Sequence, residues 1–374
     1  MPRRYLRGYS LTLPIALLHC VVNDHVVHDD RYVVWQDGVA LMLIVGQERS
    51  PPKRISVGRL LNALAFSSNG EHFVSGGTEG VRVWRVEDGE QVAAMAAPYV
   101  RCIAVSKDGR CIAAGTHFGE VIVWDAETYE KIFALEDIGD IYGVDFSPDS
   151  TRLVTASADK VSIWGIATRG RTTLHDDGVL AAKFSPQGDQ IAIATRNSVR
   201  IYDSNDRRLL VEIPVKVTGW INTGLLWSKA HLFVVSDSKI KQIDPSTGSV
   251  VSQWLVPGGN DLGRIALPTH GEFIAHSTNR TVTFWDASAH TQLGLIQHAE
   301  DICSIALSPD DRFLAIGGES GKITIKRLSQ VTVSSVVPCW TVAYLNNARG
   351  QTFKSTALCL ICGSTINSRT RKRC

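Results

Sequence analysis

The sequence predicts an all-β protein made of seven similar units, and three observations lead to this prediction. A tryptophan-containing segment recurs at a nearly constant interval, as in VRVW at 81–84, VIVW at 121–124 and VSIW at 161–164. A turn-forming segment precedes each of them, and short apolar runs fill the space between. Repetition with a period of about 40 residues indicates one structural unit copied along the chain.

The position that Trp84 occupies can be followed through most of the chain. It recurs at Trp84, Trp124, Trp164, Tyr202, Ile243, Trp285 and Lys326, with intervals of 40, 40, 38, 41, 42 and 41 residues. Turn-forming segments precede these positions: SSNG at 67–70, SKDG at 106–109, SPDS at 147–150, SPQG at 185–188, SKAH at 228–231, PTHG at 268–271 and SPDD at 308–311. Pro, Asp, Asn and Gly favour turns for backbone reasons, so each segment marks a predicted hairpin.

The apolar runs between these markers have the length of strands. Examples are ALAF, CIAV and LAAKF before the turns, and HFVSGG, CIAAGT and QIAIAT after them. Runs of four to eight residues rich in Val, Ile and Ala and bounded by turns are typical of buried strands. They number roughly four per repeat, and no helical period is sustained over residues 55–328. The sequence therefore predicts a seven-bladed β-propeller of four-stranded antiparallel blades.

The fifth unit, at about residues 215–250, is the weakest of the seven. Its phase slips by about one residue, and Ile243–Asp244 replaces the tryptophan-containing pair. The segment LFVVSDSKIKQID keeps its alternation, so a diverged blade is still predicted. Trp220 and Trp227 belong either to the blade core or to an exposed aromatic pair, and the core is the more frequent place for Trp.

We predict four segments: an N-terminal extension at 1–30, a hairpin and closing-strand segment at 31–54, the propeller at 55–330, and a basic, cysteine-containing, irregular tail at 331–374. Asp37–Gly38 lies between two apolar runs, which is a strong hairpin signal. Either KRISV at 53–57 or VALMLIV at 39–45 is available as the outermost strand of the blade that ends near Lys326. Such a strand would close the ring and remove an exposed sheet edge.

Charge is distributed unevenly along the 374 residues. Residues 1–23 carry three Arg and no acid, and residues 330–374 carry six Lys or Arg and no acid. The formal net charge of the whole chain is +2, and these nine cations leave 30 Lys and Arg against 37 Asp and Glu in residues 24–329. Phosphate binding needs clustered cations, so the acidic middle argues against a nucleic-acid groove.

The cysteines and the first residues bear on the cellular compartment. Cys102, Cys111 and Cys303 fall inside apolar, strand-like segments, which favours a reducing compartment, the cytoplasm, with the nucleus as an alternative. The first 22 residues combine a basic start with a short apolar run broken by Pro14. A targeting peptide is therefore considered but not favoured, because no small-residue cleavage site follows the run.

The middle of the chain resembles the WD40-repeat proteins. The segments FSPDS at 146–150, LVTASADKVSIW at 153–164 and GTHFGEVIVWDAET at 115–128 match the repeat of that family, and its Trp-Asp pair survives at Trp124–Asp125 and Trp285–Asp286. The resemblance extends over about 275 residues, which is seven repeat periods. It implies a seven-bladed propeller.

The repeat of that family also carries a structural polar network of a His, a Ser or Thr, an Asp and the Trp. The resemblance assigns these positions as follows: His175 and His298 for the His, Ser157 near the Ser, Asp159 for the Asp, and Trp84, Trp124, Trp164 and Trp285 for the Trp. No single repeat has all four residues. This implies blades that are held by packing more than by the network.

No catalytic, metal-binding or cofactor-binding motif stands out. The sequence has no Gly-x-Ser-x-Gly, no His-Glu-x-x-His, and no glycine-rich phosphate loop. Cys359 and Cys362 form one close pair, with Cys339 and Cys374 farther away, whereas structural zinc sites favour two such pairs. We therefore expect no enzyme activity, no cofactor and no metal.

The family resemblance implies a protein-interaction scaffold that assembles a multiprotein complex through the loops of one propeller face. In that family the partner often docks on residues just before and within each first strand. At those positions this chain has Arg59, Asn62, Tyr99, Arg101, Asp140, Tyr142, Asp261 and Asp301. Tyr99, Arg101 and Tyr142 are the preferred anchors, because Tyr and Arg are favoured at interfaces. The mixed charges favour a peptide-like partner segment with basic residues next to an acidic or polar one.

Three other functions stay open. The first is a phosphoinositide-binding propeller, although NDRRLL at 205–210 lacks the Phe and Gly of the paired-Arg motif of such proteins. The second is a propeller fragment of a larger signalling protein. The third is a propeller enzyme, which the missing motifs disfavour. Neither a nucleic acid nor a small-molecule substrate is expected, and a membrane is not favoured.

Overall fold

The structure is a computed structural model, and it describes residues 53–136, 139–158, 160–175, 178–217, 224–256, 264–268 and 273–328 together with five strands nearer the chain ends. The chain forms two compact units: Leu43–Gln330, and Met1–Met42 with Val331–Cys374. Strands near the N-terminus form a three-stranded sheet: β1 (His25–His28), β2 (Arg31–Gln36) and β3 (Val39–Ile44). The predicted hairpin around Asp37–Gly38 corresponds to β2 and β3.

The first strand of the larger unit is β4 (Lys53–Ser56). Six four-stranded antiparallel sheets follow. Blades 1 to 3 consist of β5 (Leu61–Phe66), β6 (His72–Gly77), β7 (Gly80–Arg85) and β8 (Gln91–Met95); β9 (Val100–Val105), β10 (Cys111–Thr116), β11 (Glu120–Asp125) and β12 (Lys131–Glu136); and β13 (Ile141–Phe146), β14 (Arg152–Ser157), β15 (Val161–Gly165) and β16 (Arg171–His175).

Blades 4 to 6 repeat this pattern with β17 (Val179–Phe184), β18 (Gln190–Thr195), β19 (Val199–Asp203) and β20 (Leu209–Ile213); β21 (Leu225–Trp227), β22 (Leu232–Ser236), β23 (Lys239–Ile243) and β24 (Val250–Leu255); and β25 (Arg264–Ala266), β26 (Phe273–Thr278), β27 (Thr281–Asp286) and β28 (Gln292–Gln297). The predicted seven-bladed propeller with four-stranded antiparallel blades is confirmed, and the diverged fifth unit forms a complete blade.

Blade 7 takes strands from both ends of the propeller sequence. Its order is β29 (Ile302–Leu307), β30 (Phe313–Gly318), β31 (Lys322–Arg327) and then β4. Ser56 pairs with Lys322, and Ile55 pairs with Ile323. Of the two closing strands that the sequence offered, the segment beginning KRIS is therefore the one used. The ring closes through backbone hydrogen bonds between residues that are far apart in the sequence.

The tail beyond the propeller differs in part from the irregular segment expected. It contains an antiparallel hairpin of β32 (Trp340–Asn346) and β33 (Thr352–Leu358). The first strand contains Trp, Thr, Val and Tyr, and the second contains two Thr and one Phe, all of which favour strands. The repeat period does not continue into the tail, so the repeat pattern does not predict this hairpin.

Polar contacts join the inner strands of neighbouring blades. The Asn62 side chain donates to the carbonyl of Val100 at 2.8 Å, which links blades 1 and 2. The Asp145 carboxylate accepts from Lys183 Nζ and from the Phe184 N–H, both at 2.9 Å, and so links blades 3 and 4. Because these groups are partly buried, leaving one unpaired would cost free energy. The contacts therefore fix the register between blades.

The tryptophans of the repeat are held differently from blade to blade. The Trp84 indole N–H donates to Ser75 Oγ at 2.8 Å, and that of Trp164 donates to Thr155 Oγ1 at 3.0 Å. The hydroxyl of Ser157 instead donates to the carbonyl of Lys160 at 3.1 Å. The indole partner of Trp164 is thus two residues before the serine that the resemblance singled out.

His298 and Trp124 occupy two further positions of this network. The His298 imidazole lies 3.0 Å from the Glu300 carbonyl and 3.2 Å from Thr324 Oγ1. Trp124 is buried in the core between blades 1 and 2, and the residue nine positions before it is Gly115. Asp159 and the side chain of His175 lie outside the described residues.

Blade 6 places a histidine where blades 1 and 3 have a hydroxyl. His276 stands nine residues before Trp285, as Thr155 does before Trp164, and its side chain is 1% exposed. Among the described residues, neither nitrogen of His276 nor the indole nitrogen of Trp285 has a hydrogen-bond partner. Burial lowers the pKa of His276 to about 4. The neutral imidazole is the form that the fold accommodates.

Ile55→Ala tests the closing strand. Ile55 is buried against Phe66, Trp84 and Ile323, so its truncation should lower the free energy of unfolding by about 2 to 5 kcal/mol. Urea denaturation followed by tryptophan fluorescence measures this loss. Ser56→Ala, an exposed neighbour in the same strand, is the control and should leave the midpoint unchanged. Equal midpoints for both variants would contradict a stabilising role for this strand.

The burial of His276 predicts a pH-dependent stability. The folded pKa of about 4 lies below the ordinary value of 6.5, so the unfolded state binds the proton first on acidification. The contribution of His276 is present above pH 6.5 and is lost as the pH falls toward 4. Between pH 7 and 5 the loss should be about 2 kcal/mol.

The measurement is urea denaturation at a series of pH values, in the wild type and in His276→Thr. The variant carries the hydroxyl found at this position in blade 3, and it removes the titrating group. The free energy of unfolding is plotted against pH for each protein, and the difference between the two slopes isolates the effect of His276. Carboxylates such as Glu300, whose pKa is about 2, act at lower pH. Parallel pH profiles would show that His276 does not titrate on unfolding.

Candidate functional site

Two kinds of loop meet at one end of the blades. Connections from the outer strand of one blade to the inner strand of the next lie beside the turns that join second to third strands. Backbone hydrogen bonds join the two kinds of loop. The N–H groups of Thr78, His117 and Glu319 donate to the carbonyls of Leu60, Tyr99 and Asp301 at 3.2, 3.0 and 3.0 Å, respectively. We call this end the loop face.

The described partner-binding candidates lie at this face or just inside it. Arg59, Tyr99, Asp140 and Asp301 precede inner strands, whereas the remaining three are the second residues of theirs: Asn62 in β5, Arg101 in β9 and Tyr142 in β13. All three second residues are half-buried. Asp261 lies outside the described residues. Blades 1 to 3 therefore contribute six of the eight candidates.

Most of the charged candidates already have partners within the chain. Arg101 lies 3.6 Å from Asp140, and His117 Nδ1 contacts the same carboxylate. Arg280 lies 3.1 Å from Asp301. A carboxylate that is paired internally attracts a basic partner less than a free one. The charges that favoured a basic partner segment in the sequence are thus largely satisfied by the protein itself.

Tyr99 is the most prominent of the candidates. Its side chain is 51% exposed, and its backbone adopts φ of +48°, which is uncommon for a residue other than glycine. The hydrogen bond from His117 N–H to its carbonyl helps to hold this conformation. Backbone strain of this kind persists only where surrounding contacts impose it, and it is frequent at binding sites.

Three further residues complete the site, and sequence reasoning missed them. Phe118 is 64% exposed, and its ring meets that of Tyr99 edge-on, with centroids 5.7 Å apart. The His117 ring lies 5.2 Å from Phe118, and Leu60, 54% exposed, stands on the neighbouring blade. The available signal was Phe118 itself, because the equivalent turns of the other six blades contain no aromatic residue.

The described residues also bear on catalysis, metal binding and membrane insertion. Burial raises the pKa of Cys102 to about 12 and that of Cys303 to about 11, which suppresses their thiolates. Within the described ranges, no three His, Cys, Asp or Glu side chains form a metal-binding group. The four tail cysteines lie outside them. The described residues also include no helix of sufficient length and apolarity to span a membrane.

The fold defines the chain as a β-propeller, and known structures share it. The β-propeller domain of Cps50 (Swd1) from Myceliophteria thermophila superposes with a TM-score of 0.65 at 18% identity, over 75% of this chain and 100% of that one. The model of the WD domain, G-beta repeat matches residues 56–85, 132–164 and 290–325. The chain therefore carries WD40 repeats within a β-propeller fold.

Curated relatives match over limited lengths. WD repeat-containing protein 1 of Mus musculus is 40% identical over 73 residues, which cover 18% of this chain and 12% of the relative. Telomerase protein component 1 of Rattus norvegicus is 26% identical over 286 residues, which cover 69% of this chain and 11% of the relative. The chain thus spans roughly a tenth of the length of these relatives. WD40 propellers in general serve as scaffolds for protein interactions.

Proposed function

We propose that this chain is a non-catalytic scaffold that joins a multiprotein complex through the loop face of blades 1 to 3. One observation carries the proposal: Tyr99 and Phe118 are exposed, pack against each other and are held by their own backbone contacts. Aromatic side chains are frequent hot spots of protein interfaces, because they bury a large area at a small cost in conformational entropy.

The alternatives are supported less well. A phosphoinositide site needs several cations free to contact phosphate, whereas Arg82, Arg101 and Arg280 of the loop face lie beside carboxylates. An enzyme needs activated groups, whereas Cys102 and Cys303 are held as thiols by burial. A fragment of a larger protein remains compatible with the scaffold, since the chain spans roughly a tenth of its curated relatives.

The proposed scaffold is a member of a multiprotein complex inside the cell. One relative is by its name a component of telomerase, and a relative of that kind supports a role within an assembly. The proposed location is the cytoplasm, with the nucleus as the alternative. Free thiols at Cys102, Cys111 and Cys303 support a reducing compartment of this kind.

The test is affinity purification from cells with the wild-type chain and with a triple variant, Tyr99→Ala, Arg101→Ala and Tyr142→Ala. A discrete set of partners should be lost, because two aromatic anchors and one guanidinium leave the loop face. A matched control carries Ile132→Ala and Leu209→Ala, exposed apolar residues on the outer strands β12 and β20, and should retain all partners. Urea midpoints equal to that of the wild type establish that each variant is folded.

A partner set that is identical for the wild type and the triple variant would contradict the use of this face. An empty set from the wild type would contradict the scaffold function itself. In that case the phosphoinositide and enzyme alternatives would become the leading hypotheses.

A further inference from the structure

The exposed apolar side chains of the propeller are unevenly placed. Among the described residues, six large ones lie on outer strands: Val92, Ile132, Leu209, Val250, Val251 and Leu255. The other three are Leu60, Tyr99 and Phe118, which stand on loops of blades 1 and 2 at the loop face. We call these three residues the apolar patch. The rings of Tyr99 and Phe118 are in contact, and Leu60 lies on the neighbouring blade. Adjoining exposed apolar residues mark interaction sites, whereas single ones are ordinary.

The apolar patch is fixed in place by the backbone. The Leu60 carbonyl accepts from Thr78 N–H, and the Tyr99 carbonyl accepts from His117 N–H. The Asn62 side chain donates to the carbonyl of Val100, so the two loops are tied to adjacent strands. A surface that is ordered before binding loses less conformational entropy when a partner arrives.

The three aromatic rings at the loop face lie against one another. The rings of Tyr99, His117 and Phe118 lie with their centroids 5.2 to 6.5 Å apart, at tilts of 58° to 88°. At such separations the rings are in contact, so no side chain can insert between them. A ligand must therefore pack across their outer faces. A bulky aliphatic or aromatic side chain of a partner has the shape and polarity for this contact.

The charge beside the apolar patch is positive. Glu79 is shared by two guanidiniums, that of Arg82 at 2.8 Å and that of Arg59 at 3.7 Å. Arg82 also donates to the carbonyl of Val57 at 2.8 Å, which holds its side chain in place. Arg59 is the less engaged of the two, with 76% of its side chain exposed. Two cations share one carboxylate here, and Arg59 is available to an incoming anion.

A shallow depression links Arg59 to Leu60. It is lined by Val57, Leu61, Glu79 and Arg82 together with glycines at the end of β6 and the start of β7. Gly80 has φ of +102°, and a Cβ there would lie 2.7 Å from the Met95 carbonyl oxygen, so glycine is required at this turn. Arg59 and Leu60 both line this depression.

We propose that the apolar patch and Arg59 together bind an acidic segment of a protein partner. One bulky apolar side chain, Leu, Ile or Phe, packs across Tyr99 and Phe118, and an Asp or Glu close to it in sequence pairs with Arg59. This inference rests on the proposed scaffold function and specifies its ligand. It departs from the basic segment expected from the sequence, because Asp140 and Asp301 already have cationic partners in the chain.

The experiment uses the 374-residue chain and a phage-displayed library of random 12-residue peptides. Peptides that bind the wild type are sequenced, and a synthetic copy of the strongest is titrated by fluorescence polarisation. The selected peptides should carry Asp or Glu next to Leu, Ile or Phe. Phe118→Ser should weaken binding at least tenfold, since a hot-spot side chain contributes about that much.

Charge reversal gives an independent readout. Arg59→Glu should weaken the selected peptide at least tenfold and should flatten the dependence of its affinity on salt, because screening acts on the lost ion pair. Replacing the acidic residue of the peptide by Lys should recover binding to Arg59→Glu. The control Val251→Ser removes an exposed apolar residue on β24 and should leave the affinity unchanged. Phe118→Leu, which keeps an apolar side chain, should retain most of the affinity if the fold is intact.

Three results would overturn the inference. The first is a set of selected peptides without acidic residues, and the second is an affinity that Phe118→Ser leaves unchanged. The third is that no peptide is selected, while phosphatidylserine vesicles bind in a manner that depends on Arg59 and Phe118. The last result would indicate an anionic lipid surface. Loss of partners in the triple variant combined with any of these results would leave the scaffold function standing and the acidic ligand refuted. No partners for the wild type would refute the scaffold itself.

Discussion

The propeller depends on one pairing, that of β4 with β31. Six blades are continuous in sequence, and each is a four-stranded meander that forms from local contacts. The seventh takes its outer strand from before blade 1, so its sheet is complete only when the ring is closed. The side chain of Ile55 then enters the core that blades 1 and 7 share. The other blades pack within the ring that this pairing closes.

Binding and stability use different parts of each unit. The strands carry the packed Val, Ile, Ala and Trp residues, whereas the loop face carries residues that no internal contact requires. Tyr99 and Phe118 illustrate the second class, because burying them elsewhere would have been more favourable for an isolated chain. Arg101 and Asn62 stand between the classes, since each makes a contact inside the propeller at the edge of the exposed surface. The candidate site is therefore built on a rigid base.

The fold was largely predictable, and the site was predictable only in part. The spacing of Trp84, Trp124 and Trp164 and the turn segments between them fixed the number of blades, because a strand period and a turn signal are local properties of the sequence. Phe118 was not predicted, because its exposure depends on how the turn between β10 and β11 packs against the loop before β9. The pairing of Asp140 with Arg101 was also missed, since it joins adjacent blades and no local pattern reports it.

The closing pairing also has a consequence for synthesis of the chain. Ser56 leaves the ribosome long before its partner Lys322 exists, so β4 must wait without its sheet while six blades are made. During that interval blade 7 is absent, so the faces of blades 1 and 6 that pack against it are exposed. These faces include Phe66 of blade 1 and Ala266 of blade 6. Contacts of such long sequence separation form late and slowly. The apolar surface exposed in that interval is of the kind that chaperones bind.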